Sequence, residues 1–268
     1  MSRLFGTDGV RGVAGELLSA ELALGLGRAA TARAAAERPQ VLIIRDTRES
    51  GEMLQAALAA GVTAAGGDAL LGGVLPTPAA PLLIGRYGFD LAVVLSASHN
   101  PYEDNGIKFF GSDGFKLSDE REGEIEAELA RAGPEGETRA GGAAGGSPTR
   151  PARFGHVREL RGTGEDYLRE LEVRFAGLEL DGLDVLLDCA NGATYRVGPE
   201  IFRRLGARVS TIAEAPDGRN INAGCGSTHV EVLGERVREG GHAMGFAFDG
   251  DGDRVLAVDG AGRVVDGD

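Results

Sequence analysis

Residues 98–108 place a hydroxyl, an imidazole, an amide and an amine within eleven positions, contributed by Ser98, His99, Asn100 and Lys108. They follow the apolar run Leu91–Leu95, which predicts a buried strand. In open α/β sheets ligands bind at the carboxyl ends of the strands, so a nucleophilic hydroxyl is expected there beside an imidazole and an amine. Taken alone, the same stretch also fits an ordinary polar loop.

A second cluster, far down the chain, consists of three aspartates that alternate with glycines: Asp249, Asp251 and Asp253. It follows the apolar run 243–248, another predicted strand. Glycine allows the backbone to fold so that the carboxylates converge, and converging carboxylates raise one another's pKa. A hard divalent cation removes that cost, and all-oxygen ligands suit Mg²⁺. The alternative is an acidic turn, which three aspartates at alternate positions after a buried strand disfavour.

Two rival acidic motifs fail on neighbouring residues. An EF-hand loop that began at Asp249 would need glycine at its sixth position and glutamate at its twelfth, where this chain has Arg254 and Gly260. A phosphatase of the haloacid dehalogenase type also has Asp-x-Asp-Gly after a strand, but it continues with threonine or valine where this chain has Asp253.

Charge links the two clusters. Three carboxylates and a dication together have a net charge of about −1, and a phosphate on Ser98 would add a charge of about −1.5 to −2. The cation would bridge that phosphate, while Arg254, Lys108 and Arg11 would offset the remaining charge. Because phosphoryl transfer needs mainly positioning and charge neutralisation, the combined set predicts a phosphoryl-transfer site.

The elements that must position these clusters alternate between strand and helix, as in doubly wound α/β sheets. Strands are predicted at 41–44, 69–74, 91–95, 107–110, 183–188, 207–212 and 243–248. Helices are predicted at 20–38, 52–65, 79–87, 164–175, 197–205 and 230–239, with another beginning after Ser118. The glycine-rich residues 5–12 are predicted as a loop that carries Asp8 and Arg11. Arg45 and Arg48 are interpreted as salt-bridge residues rather than substrate contacts.

The glycine- and alanine-rich stretch 132–152 lacks periodicity and predicts a surface linker. We therefore expect two consecutive α/β domains with mixed or parallel sheets flanked by helices, plus the start of a third. Their expected ranges are 1–152, 153–253 and 254–268.

Composition narrows the classes of partner. The 268 residues carry 28 Lys+Arg and 41 Asp+Glu, a formal net charge of −13, which disfavours nucleic acid and anionic membranes as partners. No run of 18 apolar residues and no signal peptide are present, and the two cysteines, Cys189 and Cys225, are predicted to be free thiols. We expect a cytoplasmic protein.

These motifs together resemble the signatures of the α-D-phosphohexomutases. The likeness lies in six segments: Phe5–Gly12, Ser96–Pro101, Asn105–Lys108, Leu187–Ala193, Cys225–His229 and Asp249–Arg254. They cover nearly the whole chain in the same order and spacing. The first, fourth and fifth segments are most similar to members of the family that act on an amino sugar.

The resemblance implies a reaction and a cofactor. Ser98 would carry a phosphate and, with the three aspartates, bind Mg²⁺. The substrate would be an amino-sugar phosphate, glucosamine 6-phosphate, converted to glucosamine 1-phosphate for UDP-N-acetylglucosamine synthesis. The phosphoserine gives its phosphoryl group to the free hydroxyl, the sugar bisphosphate intermediate reorients, and the other phosphate returns to Ser98.

The resemblance also implies roles for the remaining site residues. Lys108 would act as acid or base, and His99 and Asn100 would shape the serine loop. Arg11 and Arg254 would hold the phosphorylated site.

One departure from the family qualifies these expectations. Its members have four domains, whereas this chain ends at Asp268, just inside the expected third. We expect residues 1–268 alone to be inactive, because the loops that hold the sugar and its non-reacting phosphate lie in the C-terminal domains. Three alternatives stay open: a fragment or a natural truncation, a mutase for mannose or glucose phosphates, and a non-catalytic metal- or phosphosugar-binding module. The oligomeric state is also open.

Overall fold

The computed structural model describes residues 3–131 and 153–265, which form two mixed β-sheets, each flanked by helices. The expected linker 132–152 lies outside the described residues. Among them, every helix is too short or too polar to cross a bilayer.

The first sheet has six strands, in the spatial order β1-β5-β4-β2-β3-β6. The strands are β1 (Val10–Val13), β2 (Gln40–Arg45), β3 (Asp68–Val74), β4 (Leu91–Leu95), β5 (Asp104–Gly111) and β6 (Val157–Glu159). The helices around it are α1 (Ala20–Ala32), α2 (Ser50–Ala64), α3 (Ala79–Tyr87), α4 (Asp119–Arg131) and α5 (Thr163–Arg174). Strands β2, β3, β4 and β6 pair in parallel, whereas β5 runs antiparallel to both β4 and β1.

Strand β4 is fully buried because apolar residues cover both faces of the first sheet. All five of its residues are buried, as the continuous run Leu-Ala-Val-Val-Leu predicts. Val93 packs into a core with residues of α1, α2 and α4, and Val94 packs on the other face with residues of α3 and α5. The strand therefore holds the loop that follows it, with Ser98, on a rigid base.

The second sheet has five strands, in the order β11-β10-β9-β7-β8. They are β7 (Asp184–Asp188), β8 (Arg208–Ile212), β9 (Met244–Phe248), β10 (Val255–Asp259) and β11 (Val264–Val265), with helices α6 (Val197–Arg204) and α7 (Val230–Gly240). Val197 and Ile201 of α6 lie in the same core cluster as α3 and α5, so apolar packing joins the two sheets.

The structure corrects the expectation that residues 5–12 form a loop throughout. Val10–Val13 pairs with β5 as an edge strand, and the turn before it needs Gly9, which has φ +83°. A Cβ at Gly9 would lie 2.3 Å from the carbonyl oxygen of Ile107, so glycine allows this close approach. The strand fixes Arg11 opposite Gly106.

Helix α1 ends at Ala32, six residues before its predicted end. Ser19 caps its first turn as expected, accepting a hydrogen bond from the Leu22 N–H at 3.2 Å. Arg38 instead forms a two-point ion pair with Asp68 at the start of β3, at 3.1 and 2.8 Å. The chain therefore leaves the helix early enough to reach β2.

The sheets also cross the expected domain boundaries. Strand β6, which follows residue 152, extends the first sheet, and strands β10 and β11, which follow residue 253, extend the second. Residues 255–259 and 264–265 therefore pair within the second sheet.

Candidate active site

The two sequence clusters meet where β4 and β9 end. The Ser98 hydroxyl donates a hydrogen bond to Oδ2 of Asp249 at 2.5 Å, across 151 positions of sequence. Both residues are buried, with 1% and 0% of their surface exposed. The serine from the first sheet and the aspartates from the second thus form one site.

The aspartate cluster has the geometry of a cation site. One carboxylate oxygen from each of Asp249, Asp251 and Asp253 lies within 4.8 Å of the others. Oδ1 of Asp251 is buried and has no hydrogen-bond partner among the described residues. Its other oxygen accepts a hydrogen bond from the Thr77 hydroxyl at 2.7 Å. A buried carboxylate oxygen without a partner, in an all-oxygen set, fits a hard divalent cation.

The surroundings shift the pKa values of Asp249 and Asp251 in opposite directions. Burial, together with the charge of Asp251, raises the pKa of Asp249 to about 7. Burial alone would also raise the pKa of Asp251, but Lys108 and the Thr77 hydroxyl hold it below its ordinary value. Without a cation, ionisation of all three carboxylates at once is therefore unfavourable.

Lys108 is the buried cation of the site. Its side chain extends from β5, and Nζ lies 3.3 Å from Oδ2 of Asp251 and 3.4 Å from Oδ2 of Asp253. Only 5% of the residue is exposed. The amine thus offsets part of the carboxylate charge, in the place where the sequence predicted it.

His99 and Arg254 join the two loops at the surface of the site. Arg254 Nη1 donates to Nδ1 of His99 at 3.0 Å, which leaves the histidine proton on Nε2. Burial lowers the pKa of His99, and the positive charges of Arg254 and Arg11 lower it further. The neutral imidazole is therefore favoured.

Arg11 and Asn100 are less directly engaged than the other predicted residues. Arg11 pairs with Asp8 at 3.1 Å, and its Nε has no hydrogen-bond partner among the described residues. The side-chain amide of Asn100 donates to Asp104, the first residue of β5, at 2.9 Å. Asn100 thus shapes the loop, while Arg11 keeps a free donor near it.

Sequence reasoning missed several residues that support the site. Thr77 contacts the loop 249–254 that carries the three aspartates, here named the metal loop. It does so through its hydroxyl and through a backbone hydrogen bond from its N–H to the Asp251 carbonyl at 2.8 Å. Asp46 and Ser96 lie fully buried beneath the serine loop. Their position after strands is visible in the sequence, but their partners lie far along the chain and leave no local pattern.

Comparison with known proteins shows the family to which the chain belongs. Residues 2–135 match the family "Phosphoglucomutase/phosphomannomutase, alpha/beta/alpha domain I", and residues 165–262 match its domain II. The chain is 51% identical over 270 residues to a phosphoglucosamine mutase of Moorella thermoacetica and 50% identical over 273 residues to one of Cereibacter sphaeroides. The matches cover 100% and 99% of this chain, but it spans only 58% of the length of either relative.

A solved structure shares the fold. A phosphoglucomutase/phosphomannomutase family protein from Burkholderia thailandensis superimposes with a TM-score of 0.80 at 26% identity. The superposition covers 99% of this chain and 56% of the other.

Proposed function

Because the chain belongs to the phosphoglucomutase/phosphomannomutase family of α-D-phosphohexomutases, we propose that it forms the phosphoryl-transfer part of a phosphoglucosamine mutase. The observation that supports this most directly is the 2.5 Å hydrogen bond between Ser98 and Asp249. It places a nucleophilic hydroxyl on a carboxylate cluster suited to a cation, which is the arrangement that a serine phosphate bound to Mg²⁺ needs.

In this proposal the protein positions the serine phosphate and balances its charge. Ser98, Asp249, Asp251 and Asp253 would hold Mg²⁺, which, when bound, neutralises charge on the phosphoryl group. Phosphoryl transfer to the sugar breaks the bond between phosphorus and the Ser98 oxygen and forms one to the free sugar hydroxyl. The proton of that hydroxyl passes to a base, for which Lys108 in its neutral, unprotonated form is our candidate, and the departing Ser98 oxygen takes up a proton. In the second half-reaction the other phosphate of the bisphosphate returns to Ser98.

The remaining predicted residues act around this step. Arg254 and Arg11 supply the positive charge that a phosphorylated Ser98 needs beyond the cation. Neutral His99 stays hydrogen-bonded to Arg254 and orients it, and Asn100 keeps the serine loop folded through Asp104. These roles follow from charge and distance and form part of the proposal.

The sugar is proposed to be glucosamine phosphate because relatives about half identical over the whole chain carry that name. The same likeness favours the amino sugar over mannose or glucose phosphates, and an enzyme over a binding module. A cytoplasmic location stays a prediction. So does the inactivity of residues 1–268 alone, which a coupled assay with glucosamine 6-phosphate, Mg²⁺ and a sugar bisphosphate would test.

The half-reaction at Ser98 tests the proposal without requiring turnover. We expect the chain, incubated for hours with millimolar glucose 1,6-bisphosphate and Mg²⁺, to gain the mass of one phosphoryl group. Peptide mapping should place it on Ser98 and leave Ser96 unmodified, because the Ser98 hydroxyl faces Asp249 of the aspartate cluster, whereas the Ser96 hydroxyl faces Asp46. Ser98→Ala should abolish the gain, while Ser112→Ala, on the surface, should not change it. Phosphate on Ser96, or no gain in the wild type, would contradict the proposal.

A further inference from the structure

Ser98 has a backbone conformation that is unusual for a residue other than glycine. Its φ is +56°, in the left-handed region that residues other than glycine enter at an energetic cost. Such a conformation persists only where the surrounding structure holds it, and it is concentrated at functional sites. The contacts that hold Ser98 therefore indicate which residues position its hydroxyl.

The N–H side of Ser98 is held from within the first domain. Its N–H donates to the Ser96 hydroxyl at 2.9 Å, and that hydroxyl donates to Oδ2 of Asp46 at 2.6 Å. Asp46 forms a fully buried ion pair with Arg48. This chain of hydrogen bonds fixes one end of the Ser98 peptide.

The carbonyl side is held from both domains at once. Arg48 Nη2 donates to the carbonyl oxygens of Ser98, at 3.3 Å, and of Asn100, at 2.6 Å. Nδ2 of Asn222, from the second domain, donates to the same two oxygens, each at 3.0 Å. The metal loop also touches this point, because a Cβ on Gly250 would lie 2.6 Å from the Ser98 carbonyl oxygen.

We propose that Asn222 is a positioning residue for the serine nucleophile. Together with Arg48, it holds the Ser98 carbonyl in a fixed position beside the metal loop. This inference rests on the proposed phosphoryl transfer at Ser98. Asn222 is 9% exposed and directs its amide hydrogens to the two carbonyls of the serine loop. It thereby ties the position of Ser98 in the first domain to that of Asp249 in the second.

The hydrogen bonds of Asn222 are not needed merely to hold the two domains together, because other hydrogen bonds also connect them. The Thr47 hydroxyl donates to the Asn191 carbonyl at 2.6 Å, and the Glu49 N–H donates to the Gly218 carbonyl at 3.0 Å. Neither contact touches residues 96–101. Among the described residues, Asn222 is the second-domain side chain that bonds to the Ser98 carbonyl.

The substitution Asn222→Gly tests this role with little strain. Asn222 itself has φ +58°, which glycine adopts without cost, so the substitution removes the amide and keeps the backbone. The matched control is Asn220→Ala in the same loop. Within the part of the chain that the structure describes, the Asn220 side chain bonds only to its own loop, through Ala215 and Asp217.

Two readouts separate positioning from stability. We expect the maximal rate of Ser98 phosphorylation by glucose 1,6-bisphosphate to fall about 10- to 100-fold in Asn222→Gly, since small misplacements of a reacting group cost up to about that much. The half-saturating concentration of the bisphosphate should stay within about twofold, because the Asn222 amide is directed to the backbone carbonyls of Ser98 and Asn100. Amide hydrogen exchange in residues 96–101 should rise about tenfold in this variant alone.

Each outcome decides one of the two proposals. Wild-type phosphorylation and exchange rates in Asn222→Gly would overturn the positioning role and leave the proposed function standing. An equal fall in both variants would also overturn it, since loosening of the loop would then be the cause. Absence of phosphorylation in the wild type would overturn the proposed function, and faster exchange confined to residues 96–101 of Asn222→Gly would still support the positioning role.

Discussion

The serine loop and the metal loop follow central strands of their sheets, yet they are stabilised in opposite ways. In the serine loop, the N–H and carbonyl of Ser98 are hydrogen-bonded to protein groups, ending in the buried pair Asp46–Arg48. In the metal loop, the buried Oδ1 of Asp251 lacks a partner among the described residues, and the pKa of Asp249 is raised to about 7 by burial and by Asp251.

This difference indicates that the two loops have different roles: the serine loop positions the nucleophile, and the metal loop is suited to bind a cation. The protein itself completes the serine loop, so the nucleophile is held in place before any ligand binds. The metal loop carries negative charge that Lys108 offsets only in part, and a bound cation would offset more of it. Variants of the first loop should therefore change stability whether or not metal is present, and variants of the second should change metal binding.

The largest expected effect is the loss of stability in Arg48→Met. Asp46 would lose the partner of a fully buried ion pair, and removal of one member of such a pair typically costs about 3–5 kcal/mol. We expect this fall in the free energy of unfolding, measured by urea denaturation, to be the same with and without Mg²⁺.

Two controls define that result. Arg263→Gln removes an ion pair with Asp259 at the surface, and its stability should match that of the wild type. The double variant Asp46→Leu/Arg48→Met removes both buried charges and should recover part of the loss. A single Arg48→Met variant as stable as the wild type would mean that the serine loop does not depend on this pair.

The next effect concerns the metal loop. Asp251→Asn removes one negative charge from the cluster, so the Kd for Mg²⁺ or Mn²⁺ should rise about 10- to 100-fold while the fold stays intact. Calorimetric titration measures the affinity, and circular dichroism checks the fold. Asp259→Asn, outside the cluster, is the control. Unchanged affinity in Asp251→Asn would show that the three aspartates form only an acidic turn.

The same comparison explains what the sequence could predict. Buried strands such as Leu91–Leu95 are visible as apolar runs, and the metal loop is visible because its three aspartates are close together in sequence. Edge strand β1 was missed because pairing with β5, rather than local propensity, forms it. The supports of Ser98 were missed because Asn222 lies 124 positions away from it.

Arg48 also shows which contacts the sequence can predict and which it cannot. Its interpretation as a salt-bridge residue agrees with the buried pair to Asp46, two residues away. Its contacts to the carbonyls of Ser98 and Asn100 span about fifty positions, and no local pattern signals them. Local chemistry could thus be predicted, whereas the network that connects the two loops required the fold.

The smallest expected effect is a pH dependence of metal-free stability that comes from Asp249. Its pKa rises from 3.8 to about 7 on folding, because burial and the charge of Asp251 disfavour the carboxylate. Between these values the folded state binds more protons than the unfolded state, so this group lowers stability as pH rises through that window. Other groups, such as His99, titrate nearby, so the contribution is best isolated as the difference between wild type and Asp249→Asn. Without metal, we expect the variant to melt higher than the wild type by an amount that grows from pH 5 to pH 8, at about 2–4 °C per kcal/mol for a chain of this size. Millimolar Mg²⁺ should raise the wild-type melting temperature more at pH 8 than at pH 5, because the cation binds the ionised cluster. If the difference in melting temperature between the two proteins is the same at every pH, folding does not raise the pKa of Asp249. The contrast with the serine loop would then disappear.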